Sequence, residues 1–144
     1  MDWKFIFLSF QGRLNRKPYW LGTLAIIGVI VVAVLGLVFL AGGAGGYAAI
    51  AILYLVLLWP TLAIGVKRLH DRGKSAWWLV VFYVVPTVLN VLAESGDGGD
   101  GIGAMIFGLA GLAISIWALV ELGFLRGTVG ANRYGPDLLA QPAA

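Results

Sequence analysis

His70 and Asp71 are the residues whose types point most directly to chemistry. An imidazole beside a carboxylate can act as a general acid–base pair or contribute to a metal site. A metal site normally needs three or four ligands, and this sequence has no second histidine and no cysteine. The pattern therefore favours a structural turn, with His70 at a helix carboxyl end and Asp71 paired with a nearby arginine: Arg68, Arg72 or Arg16. We predict no catalytic residue, no metal and no cofactor.

The basic residues form the second candidate site. They occur in short clusters beside apolar runs, a placement that suits anionic lipid headgroups better than a nucleic acid. Such a surface can bind lipid phosphates or an acidic partner. The alternative is that the charges only set topology and extend to the interface. The candidate binding residues are Arg13, Asn15, Arg16, Arg68, His70, Asp71, Arg72, Lys74, Asn132 and Arg133.

Two polar residues, Glu121 and Asn90, interrupt the ends of apolar runs. A buried acid within a membrane can serve as a proton relay, but relays usually involve several ionisable groups. We therefore expect Glu121 to form a structural ion pair with Arg126 or Arg68. The alternative is a transport path lined by these polar residues and by the helix breaks at Pro60 and Pro86.

The elements that must position these residues are long apolar runs. Hydrophobic residues make up 60% of the 144-residue chain and charged residues 12%. A soluble domain normally has about 25% charged residues, so the composition indicates an integral membrane protein. The absence of cysteine excludes disulfides and thiolate metal sites.

The apolar runs predict one all-α membrane domain over residues 1–144, a four-helix bundle. Asp2 is expected to cap a short interfacial helix that begins at Trp3, within an interfacial segment at 1–19. Transmembrane helices are predicted at 20–41, 47–66, 77–93 and 102–122, followed by a tail at 123–144. Residues 41–46 are glycine-rich and predict a tight reversal.

The distribution of charge predicts the orientation. With four crossings, all ten lysines and arginines lie on the same side, and the other side holds only acids: Glu94, Asp97 and Asp100. Positive charge is retained in the cytoplasm, so both termini are expected there.

One face of the fourth predicted helix carries small residues: Ala104, Gly108, Gly111, Ser115 and Ala118. Small residues allow close helix approach. We expect this face to pack within the bundle, with a second copy or another membrane protein as the alternative partner.

Three segments, 10–20, 68–78 and 127–137, carry a family resemblance. They read Phe-Gln-Gly-Arg-Leu-Asn-Arg-Lys-Pro-Tyr-Trp, Arg-Leu-His-Asp-Arg-Gly-Lys-Ser-Ala-Trp-Trp and Gly-Thr-Val-Gly-Ala-Asn-Arg-Tyr-Gly-Pro-Asp. In this order, separated by apolar helices, they resemble the Domain of Unknown Function 805 (DUF805) family of small bacterial inner-membrane proteins. The resemblance implies a multi-pass bacterial inner-membrane protein and carries over no catalytic or binding residue.

The leading functional hypothesis is a non-enzymatic accessory or scaffold protein whose basic cytoplasmic face binds anionic lipid or a membrane-complex partner. A component of a small-solute or proton-coupled transporter or channel is the first alternative. An enzyme acting on a lipid headgroup through His70 and Asp71 is the second.

Overall fold

The computed structural model describes residues 2–40, 44–95 and 101–139. The helices are α1 (Trp3–Leu8), α2 (Arg16–Leu40), α3 (Ala44–Asp71), α4 (Val80–Ser95) and α5 (Ile102–Phe124). The described residues contain no strand, only an isolated bridge between Asn132 and Gly135. The predicted all-α class is confirmed. Part of the glycine-rich reversal (41–43) and the loop acids Asp97 and Asp100 lie outside the described residues.

Three helices, α2, α3 and α5, are long and apolar enough to cross a membrane. Large apolar side chains such as Val32, Leu55 and Met105 are exposed along them, as expected for surfaces in lipid. The fourth apolar helix, α4, is shorter, and at 1.5 Å per residue its length is about 24 Å. That is less than the roughly 30 Å of a hydrocarbon core.

Helix α3 continues five residues past its predicted end at Val66 and stops at Asp71. Gly73 ends the helix, because its φ of +72° lies in the left-handed region that glycine adopts without strain. The N–H of Gly73 donates to the carbonyl of His70 at 3.0 Å, and the N–H of Lys74 donates to that of Leu69 at 2.9 Å. These two bonds form a Schellman motif. Lys67, Arg68 and His70 therefore lie on the last turns of α3, with His70 at the helix carboxyl end where it was expected.

Helix α4 begins with a π-helical turn, Val80–Val84, immediately before Pro86. Proline has no N–H for the carbonyl four residues earlier, and a local π-turn is one way to accommodate it. The Thr87 hydroxyl donates to the Tyr83 carbonyl at 2.7 Å, which satisfies one acceptor in this turn. The interruption predicted at Pro86 is thus a change of helix type.

The helices pack as two groups, one of three and one of two. Helices α1 and α2 pack on α3, and α4 packs on α5. Among the described residues, α2 and α3 meet α5 only at its last turn, Val120–Phe124, which is π-helical. We call this end of the molecule, where Arg13, Arg68, Asp71 and Glu121 are buried, the charged end.

The predicted four-helix bundle stays a prediction, because the two groups of helices contact each other chiefly at the charged end. The shared core is concentrated at the charged end and includes Leu14, Leu69, Leu79 and Leu122. Away from it, apolar side chains gain little by leaving lipid for each other, because lipid tails are equally apolar. The two groups of helices are therefore joined at one end.

Candidate functional site

Asp71 lies at the centre of a buried ionic cluster at the charged end. Its Oδ1 accepts a hydrogen bond from Arg13 Nε at 3.0 Å, and its Oδ2 accepts one from Arg68 Nη1 at 2.5 Å. All three side chains are at most 4% exposed. The pairing with Arg68 agrees with the prediction, whereas Arg13 was not among the expected partners. Buried guanidinium groups are costly unless their remaining N–H groups are also satisfied.

The remaining N–H groups of Arg13 bind the segment that follows α5. Its Nη1 donates to the Gly130 carbonyl at 2.8 Å, and its Nη2 donates to the Thr128 carbonyl at 2.7 Å. Gly127 lies against the carboxylate of Asp71 so closely that a Cβ there would collide with it. Arg13 therefore joins the start of the chain to its carboxyl-terminal segment through backbone acceptors.

Other side chains cap the carboxyl end of α5. Arg68 donates to the carbonyls of Leu122, at 2.5 Å, and Leu125. Trp20 Nε1 donates to Gly123 at 3.0 Å, and Arg16 Nη1 donates to Phe124 at 3.1 Å.

The last carbonyls of a helix lack partners within the helix and form the negative end of its dipole. At the end of α5, all four consecutive carbonyls from 122 to 125 accept bonds from α2 or α3. Arg16 and Arg68, which the sequence offered as candidate binding residues, thus serve partly as helix caps.

Lys67 performs the same role for α1. It is completely buried, and its Nζ donates to the carbonyl of Ile6 at 2.7 Å and to that of Phe5. The ammonium group also lies 4.6 Å from the centre of the Phe5 ring. A six-residue helix is unstable alone, so α1 depends on these contacts with α3. Asp2 caps its other end by accepting from the Phe5 N–H at 3.1 Å, which confirms the predicted cap.

Glu121 forms a second ionic group with the connection between α3 and α4. Its Oε1 lies 3.0 Å from both Arg72 Nε and Lys74 Nζ. The ammonium group of Lys74 also lies 4.5 Å from the centre of the Trp78 ring. The expected partners, Arg126 and Arg68, are not the ones observed. Glu121 is therefore an ion-pair partner in the last turn of its helix.

The side chains of His70 and Asp71 bind different partners. Neighbouring residues on a helix point in different directions. The His70 ring stacks on Tyr134, with ring centres 3.8 Å apart, and its Nδ1 donates to the Gly12 carbonyl at 3.2 Å. The Asp71 carboxylate binds the two arginines instead. His70 therefore helps to position the carboxyl-terminal segment.

Asn132 and Asp137 order that segment further. The Asn132 amide donates to the His70 carbonyl at 3.0 Å and to the Thr128 hydroxyl at 2.7 Å. The carboxylate of Asp137 accepts from the backbone N–H groups of Leu139 and Gly130, each at 2.9 Å. These two bonds, that of Leu139 first, hold the pKa of Asp137 below its usual value.

Five basic side chains are exposed at the charged end: Lys4, Arg16, Lys17, Arg126 and Arg133. Arg16 and Arg126 line a small notch together with Asn15. The Asn15 Oδ1 is buried and has no hydrogen-bond partner among the described residues. The notch holds about 10 Å³, room for one water molecule. Lys17 lines the adjoining recess.

Asn90 lies apart from the charged end, on α4. A Cβ on Gly111 of α5 would approach the Asn90 Oδ1 to 2.9 Å, so α4 covers part of the small-residue face there. Gly108, on the same face, has no neighbour within 4 Å of such a Cβ. This face therefore contributes to packing within the chain at Gly111.

Sequence reasoning missed several residues of the charged end. Lys67 stands next to Arg68 in a basic run, so its charge was a usable signal. Nothing in the sequence marked Thr128 or Tyr134 as part of this end. Nothing marked the backbone carbonyls that bind Arg13 and Arg68 either. Within residues 2–40, 44–95 and 101–139, no group of three acidic or histidine side chains could hold a metal ion.

Apolar helices of spanning length, joined by a charged cluster at their ends, define a small helical membrane protein. Residues 7–136 match the family described as "Protein of unknown function (DUF805)", and the chain belongs to this family. The resemblance of the three sequence segments is thereby confirmed.

Three relatives from Escherichia coli strain K12 support this assignment. "Inner membrane protein YhaI" is 37% identical, over 91% of this chain and 86% of the relative. "Uncharacterized protein YiiR" is 36% identical, over 90% and 85%. "Inner membrane protein YhaH" is 31% identical, over 99% of this chain and all of the relative. No solved structure is found to match the chain.

Proposed function

We propose that this protein is a non-catalytic inner-membrane protein whose charged end faces the cytoplasm and binds anionic phospholipid headgroups. Two of its relatives are named inner membrane proteins. All ten lysines and arginines of the sequence occur in the segments that meet at the charged end, together with four acids: Asp2, Asp71, Glu121 and Asp137. The net formal charge of that end is +6.

The proposed topology has four crossings and both termini in the cytoplasm. It is supported by the retention of basic segments in the cytoplasm and by the pairing of α4 with α5. The sequence has no cysteine, so single serine replacements give a clean test. With a membrane-impermeant maleimide on intact spheroplasts, Ser95→Cys should react at once and Ser75→Cys only after permeabilisation. The reverse pattern would contradict the topology.

The observation that carries the lipid proposal is the concentration of exposed cations at the start of α2. Arg16 and Lys17 occupy its first turn, which has no acidic residue. Cations are unfavourable at a helix amino terminus, because they add to the positive end of the dipole. Arg126 adds a further exposed positive charge beside them. An anion such as a lipid phosphate would relieve this concentration of charge.

The difference between buried and exposed basic residues also supports a lipid ligand. Arg13, Lys67 and Arg68 are buried, and acceptors of the chain occupy their N–H groups. They hold the segments of this end together. The exposed cations lie at the level of the headgroups, although Arg16 Nη1 also donates to the Phe124 carbonyl, and each contributes roughly 1 kcal/mol to the attraction of anionic lipid.

The test compares phosphatidylglycerol with phosphatidylcholine in nanodiscs, using native mass spectrometry of the retained lipids. Arg16→Gln with Arg126→Gln removes two charges, so the preference for phosphatidylglycerol should fall about 30-fold, the equivalent of roughly 2 kcal/mol. Arg16→Lys with Arg126→Lys is the matched control and should keep most of the preference. Equal retention of both lipids by the unaltered protein would refute the proposal.

A further inference from the structure

An apolar groove of about 540 Å³ lies beneath α1. Its lining includes Phe7 and Leu8 of α1, Ala25 and Val29 of α2, and Val56 and Pro60 of α3. This volume falls in the range of roughly 300–1,000 Å³ that is typical of small-ligand sites. The groove is open on one side, and its lining is almost wholly apolar. Its natural occupant is therefore a hydrocarbon.

The groove lies at the depth of one lipid leaflet. Ala25 and Val29 follow Arg16 by nine and thirteen residues, which corresponds to about 14 and 20 Å along the helix. Helix α1 crosses α2 nearer the charged end, at Gly22, which follows Arg16 by about 9 Å along the helix; Ile6 lies 3.3 Å from where a Cβ of Gly22 would stand. Helix α1 therefore forms the roof of the groove on the side of the charged end.

The position of α1 over the groove favours an acyl chain over a transmembrane helix as the occupant. A transmembrane helix is about 10–12 Å wide and continues to the membrane surface, where α1 would block it. An acyl chain is thinner and flexible, and it ends at the headgroup level. On α1, Lys4 shares a face with Phe7 and Leu8, because residues three and four apart are neighbours on a helix. The exposed Lys4 thus supplies a positive charge at the rim of the groove.

We propose that the groove binds one acyl chain of an anionic phospholipid of the cytoplasmic leaflet, with its phosphate next to Lys4. The assignment to that leaflet rests on the proposed function, whereas the acyl-chain site rests on the groove itself. The protein would then hold a particular lipid against α1, α2 and α3, in addition to the lipids attracted to its exposed cations.

The experiment uses the full-length protein in nanodiscs that contain a phospholipid with a photoreactive diazirine in its acyl chain. After illumination, peptide mass spectrometry locates the cross-links. Val29→Trp fills the groove, and Val31→Trp is the control on the same helix. Val29 and Val31 are 50% and 49% exposed, and Val31 does not line the groove. Val56→Trp repeats the test from the opposite wall.

We expect cross-links in the unaltered protein to concentrate on the groove residues. Val29→Trp and Val56→Trp should each lower the yield of these cross-links about tenfold. This is the loss expected when the acyl chain loses the apolar contact of roughly two methylene groups. Val31→Trp should leave them unchanged. Lys4→Gln should reduce the excess of phosphatidylglycerol over phosphatidylcholine cross-links about fivefold.

Two outcomes would overturn the groove assignment. One is cross-links spread evenly over the exposed faces of α2, α3 and α5, and the other is equal yields from Val29→Trp and Val31→Trp. Headgroup preference that still depends on Arg16 and Arg126 would then leave the proposed function standing. Localised cross-links without any headgroup preference would overturn the proposed function and retain the acyl-chain site.

Discussion

Replacing Asp71 with asparagine tests whether the buried ionic cluster holds the charged end together. Asparagine keeps the shape of the side chain, and with it the packing against Gly127, but removes the charge. The Arg13 and Arg68 side chains, at most 1% exposed, would then lack a counter-charge. Breaking a buried ion pair costs about 3–5 kcal/mol, and two cations depend on this one carboxylate. We expect a loss of stability near the upper end of that range.

Unfolding can be followed in mixed micelles by titration with sodium dodecyl sulfate, using tryptophan fluorescence. Trp20 is a suitable reporter, because it donates to the Gly123 carbonyl at the same end. Glu94→Gln is the control, since it removes an exposed carboxylate at the other end of α4 and should leave the midpoint unchanged. A double-mutant cycle of Asp71→Asn with Arg13→Gln should give a coupling energy of about 2 kcal/mol.

A loss below about 1 kcal/mol for Asp71→Asn would refute this reasoning, because it would match an exposed ion pair. It would mean that water reaches both guanidinium groups and that the cluster is not a structural core.

Three further predictions concern other parts of the molecule. Lys67→Met removes the charged donor that caps α1 and keeps the length of the stem, so hydrogen exchange in Trp3–Leu8 should accelerate at least about tenfold while that in α5 stays unchanged. Gly111→Leu should separate α4 from α5 and lower thermal stability, whereas Gly108→Leu should have little effect, because no atom lies near its Cβ position. The lowered pKa of Asp137 means that its contribution is present above the ordinary carboxyl pKa and is lost as the pH falls through the lowered value. The amide signals of Gly130 and Leu139 should therefore shift together in acid, and Asp137→Asn should abolish the transition.

The helices and the basic segments were predictable from the sequence. Uncharged runs of about twenty residues predict spanning helices whatever their packing, and Asp2 before Trp3 is a recognisable cap. Val66 bounded the predicted membrane crossing, and α3 itself continues to Asp71, so that His70 lies at a helix carboxyl end as expected. Basic residues are good helix formers, and only Gly73 supplies a stop signal.

The roles of the individual arginines could not be predicted. Arg13 and Arg68 are satisfied mostly by backbone carbonyls, and every residue type presents the same carbonyl, so no pattern marks the acceptors. In the sequence, Arg13 and Arg16 are two arginines of the same basic segment, and nothing distinguishes their roles. The structure buries the first and exposes the second.

The reach of Arg13 along the chain sets an order of events during synthesis. Its partners at Thr128 and Gly130 are more than a hundred residues away, beyond every spanning helix. The helices must therefore enter the bilayer before these two backbone acceptors of Arg13 have been made, although its ion-pair partner Asp71 is already present. Closure of the segment after α5 over Arg13 is the last step of assembly, and a chain that stops before Gly127 would keep the caps on α5 but lack the Thr128 and Gly130 acceptors of Arg13.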